Sequence, residues 1–382
     1  MKKIEQSKHF AGKAVLITTV WIAGTMGSAY AQDGVSISGI LDTGLRYVSH
    51  VGTPSGNPGV LQAASGQIIP SSFQFKGTES LGGATQAIFL LRAPFLVNTG
   101  QSNGRAFNIS YVGLQNDKAG AFTLGRQVDL GADFFGTIAA MNVWSGMSGA
   151  HIGDADNLYA STKISNMVKF KSASFGGFSA GATYAFSQTA GAADLNRLWS
   201  VGAKYASGPL QVATTYTVLD SPGATANGAV GSTGVGVNND YSGLFRASAR
   251  GASVQKQEIL VAGGKYDFGS AAVAAIYSNV RFRYLDATST TLDNYDVSAT
   301  YQLSVPLMLG LGYTRTYARD SQTAIYNQFN AGLTYSLSKR TLIYLQGIAQ
   351  IASRQSNAQI FGAPTSGDNH QYMGIGGIEH FF

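Results

Sequence analysis

The chain has 382 residues, of which 12% are charged and 45% hydrophobic, with 48 Gly, no Cys and a formal net charge of +6. The charged fraction is about half the roughly 25% of an ordinary soluble domain, and outside the N-terminal region no apolar run reaches the ~20 residues of a membrane helix. These values exclude a polytopic helical membrane protein, disulfides and cysteine chemistry. They favour a β-barrel whose strands alternate lipid-facing and water-facing side chains.

The first 31 residues have the three parts of a secretory signal peptide. Four lysines, Lys2, Lys3, Lys8 and Lys13, precede an apolar stretch at 14–23, and the small-residue sequence Ala29-Tyr30-Ala31 follows. We expect cleavage after Ala31 and a mature domain at 32–382; a retained membrane anchor is the alternative. Because this segment holds four Lys and one Glu, only about +3 of the +6 remains in the mature chain. With no run of Lys or Arg, that charge does not indicate a nucleic-acid partner.

From residue 35 onward the dominant pattern has period 2, which is typical of strands with two different faces. In 294–303, apolar residues at odd positions alternate with polar residues at even positions, and 178–187 and 329–337 repeat the pattern. The pattern predicts sixteen strands. They are 35–48, 71–80, 84–92, 106–115, 121–127, 164–173, 178–187, 197–206, 210–218, 255–267, 271–283, 293–304, 307–317, 327–337, 341–352 and 371–382.

The connections between these strands alternate between short turns and long polar segments. An even number of strands of about ten residues, with short turns on one side and long loops on the other, is typical of an outer-membrane barrel. The sequence therefore predicts a single all-β domain, a sixteen-stranded antiparallel transmembrane β-barrel with short periplasmic turns and long extracellular loops. The Gly-rich stretch 223–243 is expected to be part of an extracellular loop. A β-sandwich would be expected to carry more outer charge, and a solenoid needs a fixed repeat, which is absent.

Several short segments, in order and spacing, resemble the trimeric general-diffusion porins of Gram-negative outer membranes, in particular the betaproteobacterial branch. The resemblance is strongest at Phe75–Gly83 (FKGTESLGG). The other matching segments are Ser38–Gly44, Tyr111–Leu114, Leu124–Gln127, Leu337–Thr341 and Gly377–Phe382. The resemblance implies a homotrimer in the outer membrane, in contact with its lipids and lipopolysaccharide, and a third long loop, here 128–163, folded into the lumen as a constriction. It also implies that the terminal Phe382 is read by the barrel-assembly machinery.

Charged residues in the wall are expected to point inward, because Arg or Lys on the lipid face near mid-bilayer costs about 2–4 kcal/mol. Alternation places Lys204 and Lys265 inward, and also Arg281 and Arg283 if Val280 faces out. A bulge at Gly125 would turn Arg126 inward. The basic residues predicted to line the pore are Arg46, Lys76, Arg126, Lys169 and Lys171. The acidic residues predicted to line the pore or its constriction are Asp42, Asp129, Asp133, Asp154 and Asp156.

Four positions depart from the family pattern. Ser72 and Asn108 stand where the family commonly has Arg, and Arg92 and Glu379 carry charges opposite to the usual ones. These departures thin the basic wall that commonly opposes the acidic loop. We expect a passive, weakly selective diffusion channel for small hydrophilic solutes and ions, with anions slightly favoured.

The alternatives are a substrate-specific porin, with Tyr277 and Tyr344 in a binding track, and an adhesin or surface-antigen barrel with a closed lumen. An enzyme barrel comes third, because the chain has no nucleophile elbow and no phosphate-binding loop. No cofactor is implied. Of the four mature histidines, His50, His151, His370 and His380, no two have the spacing of a local metal motif, so no metal site is expected.

Overall fold

The computed structural model describes residues 34–188, 190–222, 252–353 and 356–382. The expected signal peptide and the Gly-rich stretch 223–243 lie outside the described residues. Within the described ranges, no helix has both the length and the apolar character needed to cross a membrane. The described chain is dominated by antiparallel strands, and all sixteen predicted strands are present.

One further strand, β2, lies in the first long loop. The strands are β1 (Gly34–Val48), β2 (Val60–Ser65), β3 (Ser72–Gly82), β4 (Thr85–Pro94), β5 (Ile109–Asn116), β6 (Gly120–Gln127), β7 (Ile164–Ser172), β8 (Phe178–Ala185), β9 (Leu198–Ser207), β10 (Leu210–Asp220), β11 (Val254–Asp267), β12 (Ala271–Tyr284), β13 (Ser289–Ser304), β14 (Leu307–Arg319), β15 (Thr323–Ser336), β16 (Thr341–Ala352) and β17 (His370–Phe381).

The sheet closes on itself because β1 pairs with β17 from Ile40↔Phe381 to Val48↔Met373. The other edge of β1 is shared: its first half pairs with β3 and its second half with β2. The strands β2 and β3 therefore fill a single position, and the fold is a closed sixteen-stranded antiparallel barrel. Closure extends to the last residue, since the N–H of Phe382 donates to Gly39 O at 3.1 Å. A barrel in lipid needs this pairing, because an open edge would leave backbone groups without partners.

Alternation along the strands separates an apolar outer face from a polar inner face. Outward residues such as Val35, Leu45 and Val297 are 54–64% exposed on the isolated chain, as expected of a surface that meets lipid or a protomer. Inward positions on the same strands hold Asp42, Ser298 and their neighbours, which are buried within the barrel. The pattern read from the sequence is confirmed for most strands.

The long-loop end of β12 reverses the expected faces. Val280 and Phe282 are 0% exposed and point inward, so Arg281 and Arg283 lie on the outer face, and their expected inward orientation is wrong. The physical reason is that this part of the inner wall faces protein rather than water: Val280 and Phe282 belong to the same apolar cluster as Ile152 of the long segment 128–163.

The strand β6 ends in the irregularity that the sequence suggested. Gly125 has φ +140°, and the β6–β7 register shifts between Gly125 and Gln127. Arg126 is 8% exposed, and its guanidinium donates to Ser165 Oγ at 2.6 Å. An extra residue in one strand reorients the following side chain, so Arg126 is directed at a buried hydroxyl of the next strand.

Candidate functional site

The segment 128–163 connects β6 to β7 and forms short helices instead of an extended loop. It contains α1 (Leu130–Phe135), α2 (Ala140–Val143) and two 3₁₀ turns at Met147–Gly149 and Ile152–Asp154. Helix α1 begins at Asp129, whose carboxylate accepts a hydrogen bond from Ala132 N at 3.0 Å. This side-chain cap satisfies a backbone donor that the first turn of a helix leaves without a partner.

Helix α1 packs against β8, β9 and β10, where glycine provides the space. A Cβ atom at Gly181 would lie 2.8 Å from Leu130, and one at Gly202 would lie 3.1 Å from Phe134. The last turn of the helix is held by Lys204, whose ammonium donates to Phe134 O at 3.2 Å and to Thr137 Oγ1 at 3.0 Å. A cation is favourable at the carboxyl end of a helix, where backbone carbonyls have no partners.

The middle of the segment docks on the opposite part of the wall through Trp144. The indole is 3% exposed and lies over Gly310 of β14 and Gly332 of β15, where a Cβ atom would approach ring carbons to 3.0 Å or less. Gln346 Nε2 donates to Trp144 O at 2.5 Å. Glycines on inward positions of β14 and β15 are thus the local reason that a bulky ring can approach the backbone of the wall.

Further contacts continue along the inner face with inward amides and one ionic cluster. Gln257 donates to Ala155 O at 2.8 Å and Gln328 to Ser148 O at 3.1 Å. His151 Nδ1 lies 2.6 Å from Asp156 Oδ2. Asp156 also accepts from Ser278 Oγ of β12 at 2.5 Å. These bonds join the segment to strands β11, β12 and β15.

The charge state of this cluster follows from its partners. Burial alone would lower the pKa of His151, but Asp156 outweighs it and raises that pKa to about 10. The same pairing keeps the pKa of Asp156 below its ordinary value despite burial. His151 Nε2 also lies 3.9 Å from Asp296 Oδ2 of β13. The pair is therefore a buried ion pair, which is costly to break one partner at a time.

Three of the four acids predicted for the constriction are turned into the protein. Asp129, Asp154 and Asp156 are 3%, 0% and 1% exposed, so the prediction that they line a water-filled channel is wrong. The carboxylate of each acid accepts hydrogen bonds from protein groups instead of water. Asp154, for example, accepts from Tyr159 N at 3.0 Å and from Ser161 N at 2.9 Å. Burial raises the pKa of Asp129 to about 6, and burial together with Asp156 raises that of Asp154 to about 7.

Asp42, the fifth predicted acid, is also buried and does not reach the water of the lumen. It is 0% exposed and accepts hydrogen bonds from Tyr344 OH at 2.6 Å and Ile68 N at 2.7 Å. The segment that joins β2 to β3 covers it on the inner side. Glu379, directly opposite in the β1–β17 pairing, is 1% exposed. The expectation that Asp42 lines the pore is therefore wrong, because backbone N–H groups and a phenol have replaced water around it.

The remaining acid, Asp133, is paired with the two wall lysines. Its carboxylate lies 2.7 Å from Lys169 Nζ and 3.6 Å from Lys171 Nζ. Burial opposes its charge, but the two lysines keep the pKa of Asp133 below its ordinary value. The side chain of Lys169 is 7% exposed and also donates to Val128 O at 2.6 Å, so its predicted pore-lining role is wrong. Lys171 is 41% exposed and reaches water.

Three inward-facing lysines lie toward the short-turn end of the barrel. Lys171, Lys204 and Lys265 sit close to the ends of β7, β9 and β11, and Lys204 is near enough to both others for their charges to act on it. Lys76 is exposed on the face opposite to Phe73 and Phe75. Arg46 lies at the long-loop end, where it donates to Gly362 O at 2.9 Å. Arg126 is buried, so its predicted pore-lining role is wrong.

Sequence reasoning missed the inward glycines and glutamines that receive the segment. Gly181, Gly202, Gly310 and Gly332 share the inward parity of their strands, as do Gln257, Gln328 and Gln346. Glycine at inward positions, on a strand face that otherwise holds larger polar residues, is the sequence feature that could have predicted where the segment docks. Tyr277, proposed for a binding track, faces outward beside Tyr295, with ring centroids 5.1 Å apart. Tyr344 is occupied with Asp42, so neither tyrosine supports such a track.

A closed antiparallel barrel with an apolar outer band and a polar inner face is the architecture of outer-membrane channel proteins. Residues 18–354 match the profile of the family described as Gram-negative porin, and the chain belongs to that family. An outer membrane porin protein of Bordetella pertussis is 29% identical over 374 residues, with 88% of this chain and 93% of that protein covered. Outer membrane porin protein 32 of Delftia acidovorans is 27% identical, with 83% and 84% covered.

A solved structure described as an anion-selective porin from Comamonas acidovorans has a TM-score of 0.72 at 22% identity, covering 92% of this chain and 100% of the other. The trimer form of OmpT from Vibrio cholerae has a TM-score of 0.65 at 14% identity, with 92% and 99% covered. At these identities the structures show the same fold. The protein is an outer-membrane diffusion channel.

Proposed function

We propose that this porin is a passive, weakly selective channel for small hydrophilic solutes and ions, with anions slightly favoured and the segment 128–163 as its constriction. The preference for anions is inferred from a difference in exposure between the acidic and the basic residues of the pore. Four of the five predicted acids are at most 3% exposed, whereas Lys171 is 41% exposed and Lys76 is open to water. Charges that touch the permeating ions set the selectivity of a pore, so the field in the water is positive.

The weakness of the preference has its own cause. Asp133 is 20% exposed and neutralises part of the lysine charge beside it. The cluster of Lys171, Lys204 and Lys265 acts across a wet lumen, where the Debye length is about 10 Å at 0.1 M salt. The described anion selectivity of the solved Comamonas porin supports the same sign.

The test is single-channel recording of the mature protein in a planar bilayer under a KCl gradient. We expect stepwise openings with a reversal potential that favours Cl⁻. The triple variant Lys171→Gln, Lys204→Gln and Lys265→Gln should shift the reversal potential toward K⁺. Lys118→Gln, in the short turn between β5 and β6, is the matched control and should leave it unchanged. A wild-type reversal that favours K⁺ would refute the sign. A silent bilayer with folded barrels would refute the channel and favour a surface-antigen barrel with a closed lumen.

The trimer is part of the proposal, supported by the solved trimer form of the related Vibrio cholerae protein. The outer face near β1 to β3 is apolar and open on the isolated chain: Ile37 and Leu61 are 65% and 67% exposed. Such a face fits lipid or a neighbouring protomer equally. Light scattering of the detergent-solubilised barrel is expected to give three chains per particle, and a single chain per particle would refute the assembly.

We also propose contact with lipopolysaccharide at the long-loop end of the outer face. Outward basic residues there exceed the acids among the described residues. The basic residues are Arg197, Lys256, Arg281, Arg283, Arg315 and Arg319, and the acids are Asp220, Glu258 and Asp293. Phosphate groups of the outer leaflet are complementary to this surplus. Arg281→Gln with Arg315→Gln should lower the lipopolysaccharide that copurifies per barrel, and Lys339→Gln in a short turn should not.

Export and assembly complete the proposal. Cleavage after Ala31 would remove the N-terminal segment, and the intact mass of protein from outer membranes tests it. Phe382, at the end of the closing strand, would be the signal for the barrel-assembly machinery. Phe382→Ser should reduce the heat-modifiable, folded barrel in outer membranes, whereas refolding of the purified variant in detergent should be retained. Equal amounts of folded variant and wild type in cells would refute that role.

A further inference from the structure

His50 lies far in the sequence from Asp368 and His370, but the three side chains meet at the long-loop end of the barrel. His50 follows β1, while Asp368 and His370 lie at the start of β17. One ligand atom from each of the three lies within 4.8 Å of the other two. The imidazole centroids of His50 and His370 are 4.2 Å apart. The barrel seam therefore brings together a nitrogen- and oxygen-rich ligand set.

The spacing of these groups suits one small ion. Two ligands at ~2.1 Å from a tetrahedral Zn²⁺ are separated by about 3.4 Å. His370 Nδ1 and Asp368 Oδ1 are 3.5 Å apart, so they already have the separation of two ligands on one ion. Two imidazoles and one carboxylate favour a divalent transition metal over Mg²⁺ or Ca²⁺.

His50 is held for this role by its backbone and by its second ring nitrogen. Its φ of +54° is left-handed, which is uncommon for a residue other than glycine. Its carbonyl oxygen accepts a hydrogen bond from Gly367 N at 2.9 Å. Nδ1 lies 2.7 Å from Ser49 Oγ, and that oxygen also accepts from Tyr372 N at 2.9 Å. When Nδ1–H donates to Ser49, the lone pair is on Nε2, an arrangement that metal-ligating histidines commonly show.

The site is open to water on one side. The side chains of His370 and Asp368 are 32% and 40% exposed, so an ion can enter without unfolding of the barrel. We propose that His50, Asp368 and His370 bind one divalent transition-metal ion such as Zn²⁺, which bridges the first and last strands of the barrel at their long-loop ends. Three protein ligands leave the fourth position to water.

Titration calorimetry of the folded mature protein with Zn²⁺ tests the proposal, with Mg²⁺ as the negative control. We expect one Zn²⁺ site per chain, and His50→Ala and His370→Ala should each weaken it by at least about tenfold. His380→Ala is the matched control, since His380 is exposed at the opposite end of β17 and contacts Thr341. It should bind Zn²⁺ as the wild type does. Heat-modifiable migration on gels reports that each variant is folded.

A spectroscopic readout separates ligation from a structural effect. With Cu²⁺ as the probe, electron paramagnetic resonance should show coupling to two imidazole nitrogens in the wild type and to one in each His→Ala variant. If His50→Ala does not fold, His50→Gln replaces it. Absence of Zn²⁺ binding at millimolar concentration, or equal binding by wild type and the folded His50 variant, would overturn the proposal. Neither result depends on whether the lumen conducts.

Discussion

The segment 128–163 docks on the wall where Trp144 lies over Gly310, so we expect Gly310→Ala to disturb this contact. A Cβ atom at this position would lie 2.7 Å from two ring carbons of Trp144 and closer still to a third. Carbon atoms in contact are ordinarily about 3.5–4.0 Å apart. Because Gly310 is paired on both sides, with Thr300 and Gly332, its backbone cannot retreat. The indole must therefore move by roughly 1 Å away from the wall.

The expected cost follows from that displacement. Forcing a methyl group into a filled site typically costs about 1–3 kcal/mol, and Trp144 has no open space to enter since it is only 3% exposed. We expect Gly310→Ala to lower the free energy of unfolding by this amount. The displaced indole should also change the single-channel conductance and increase the open-channel noise.

Two comparisons make this test specific. Gly347→Ala adds the same methyl group on the outer face of β16, where no atom lies within 4 Å of the added Cβ, and should leave conductance and stability unchanged. Trp144→Leu removes the ring, so Gly310→Ala should cost much less in that background, a coupling of roughly 0.5–3 kcal/mol. Trp199, on the outer face, remains as the fluorescence probe of unfolding. Additive effects of the two substitutions, or conductance of Gly310→Ala identical to wild type, would refute the docking of Trp144 on Gly310.

Three other predictions concern charges of the same segment. Asp133→Asn removes the partner of Lys171 and should shift the KCl reversal potential further toward Cl⁻; a shift toward K⁺ would contradict the pairing. Asp154 has a pKa raised to about 7, so its contribution to stability is full below its ordinary value near 3.8 and is lost as the pH rises toward 7. Unfolding should accordingly be easier at pH 8 than at pH 5 in the wild type, and Asp154→Asn should reduce that difference. His151→Phe leaves Asp156 buried without its cation, which typically costs about 3–5 kcal/mol; an unchanged thermal midpoint would exclude the buried ion pair.

The strands themselves were predictable from the sequence because their pattern is local. Side chains of a strand alternate between lipid and the barrel interior, so the apolar parity of a segment such as 294–303 indicates both its existence and its outer face. The same logic identified the irregularity at Gly125. Closure was also expected, since a transmembrane barrel with an open edge would leave backbone groups without partners in lipid.

The rule that polar residues of a strand face the barrel interior failed where the inner face of the wall packs against protein instead of water. At the long-loop end of β12 the inner face is apolar because Val280 and Phe282 belong to the same buried cluster as Ile152, so the parity rule assigned Arg281 and Arg283 to the wrong side. The strand β2 was missed for a different reason. It has only six residues, it pairs only with the second half of β1, and it lies in the polar segment that separates two predicted strands.

The segment 128–163 shows which properties the sequence determined and which depended on the tertiary structure. Its length and acidic residues were visible in the sequence, and its place after β6 was clear. Whether those acids meet water depended on contacts with strands up to two hundred residues away, such as Gln346 with Trp144. Only the closed barrel creates those contacts, and the same closure brings His50 beside His370. Periodicity is a property of neighbours along the chain, whereas burial and ligand geometry are properties of neighbours in space.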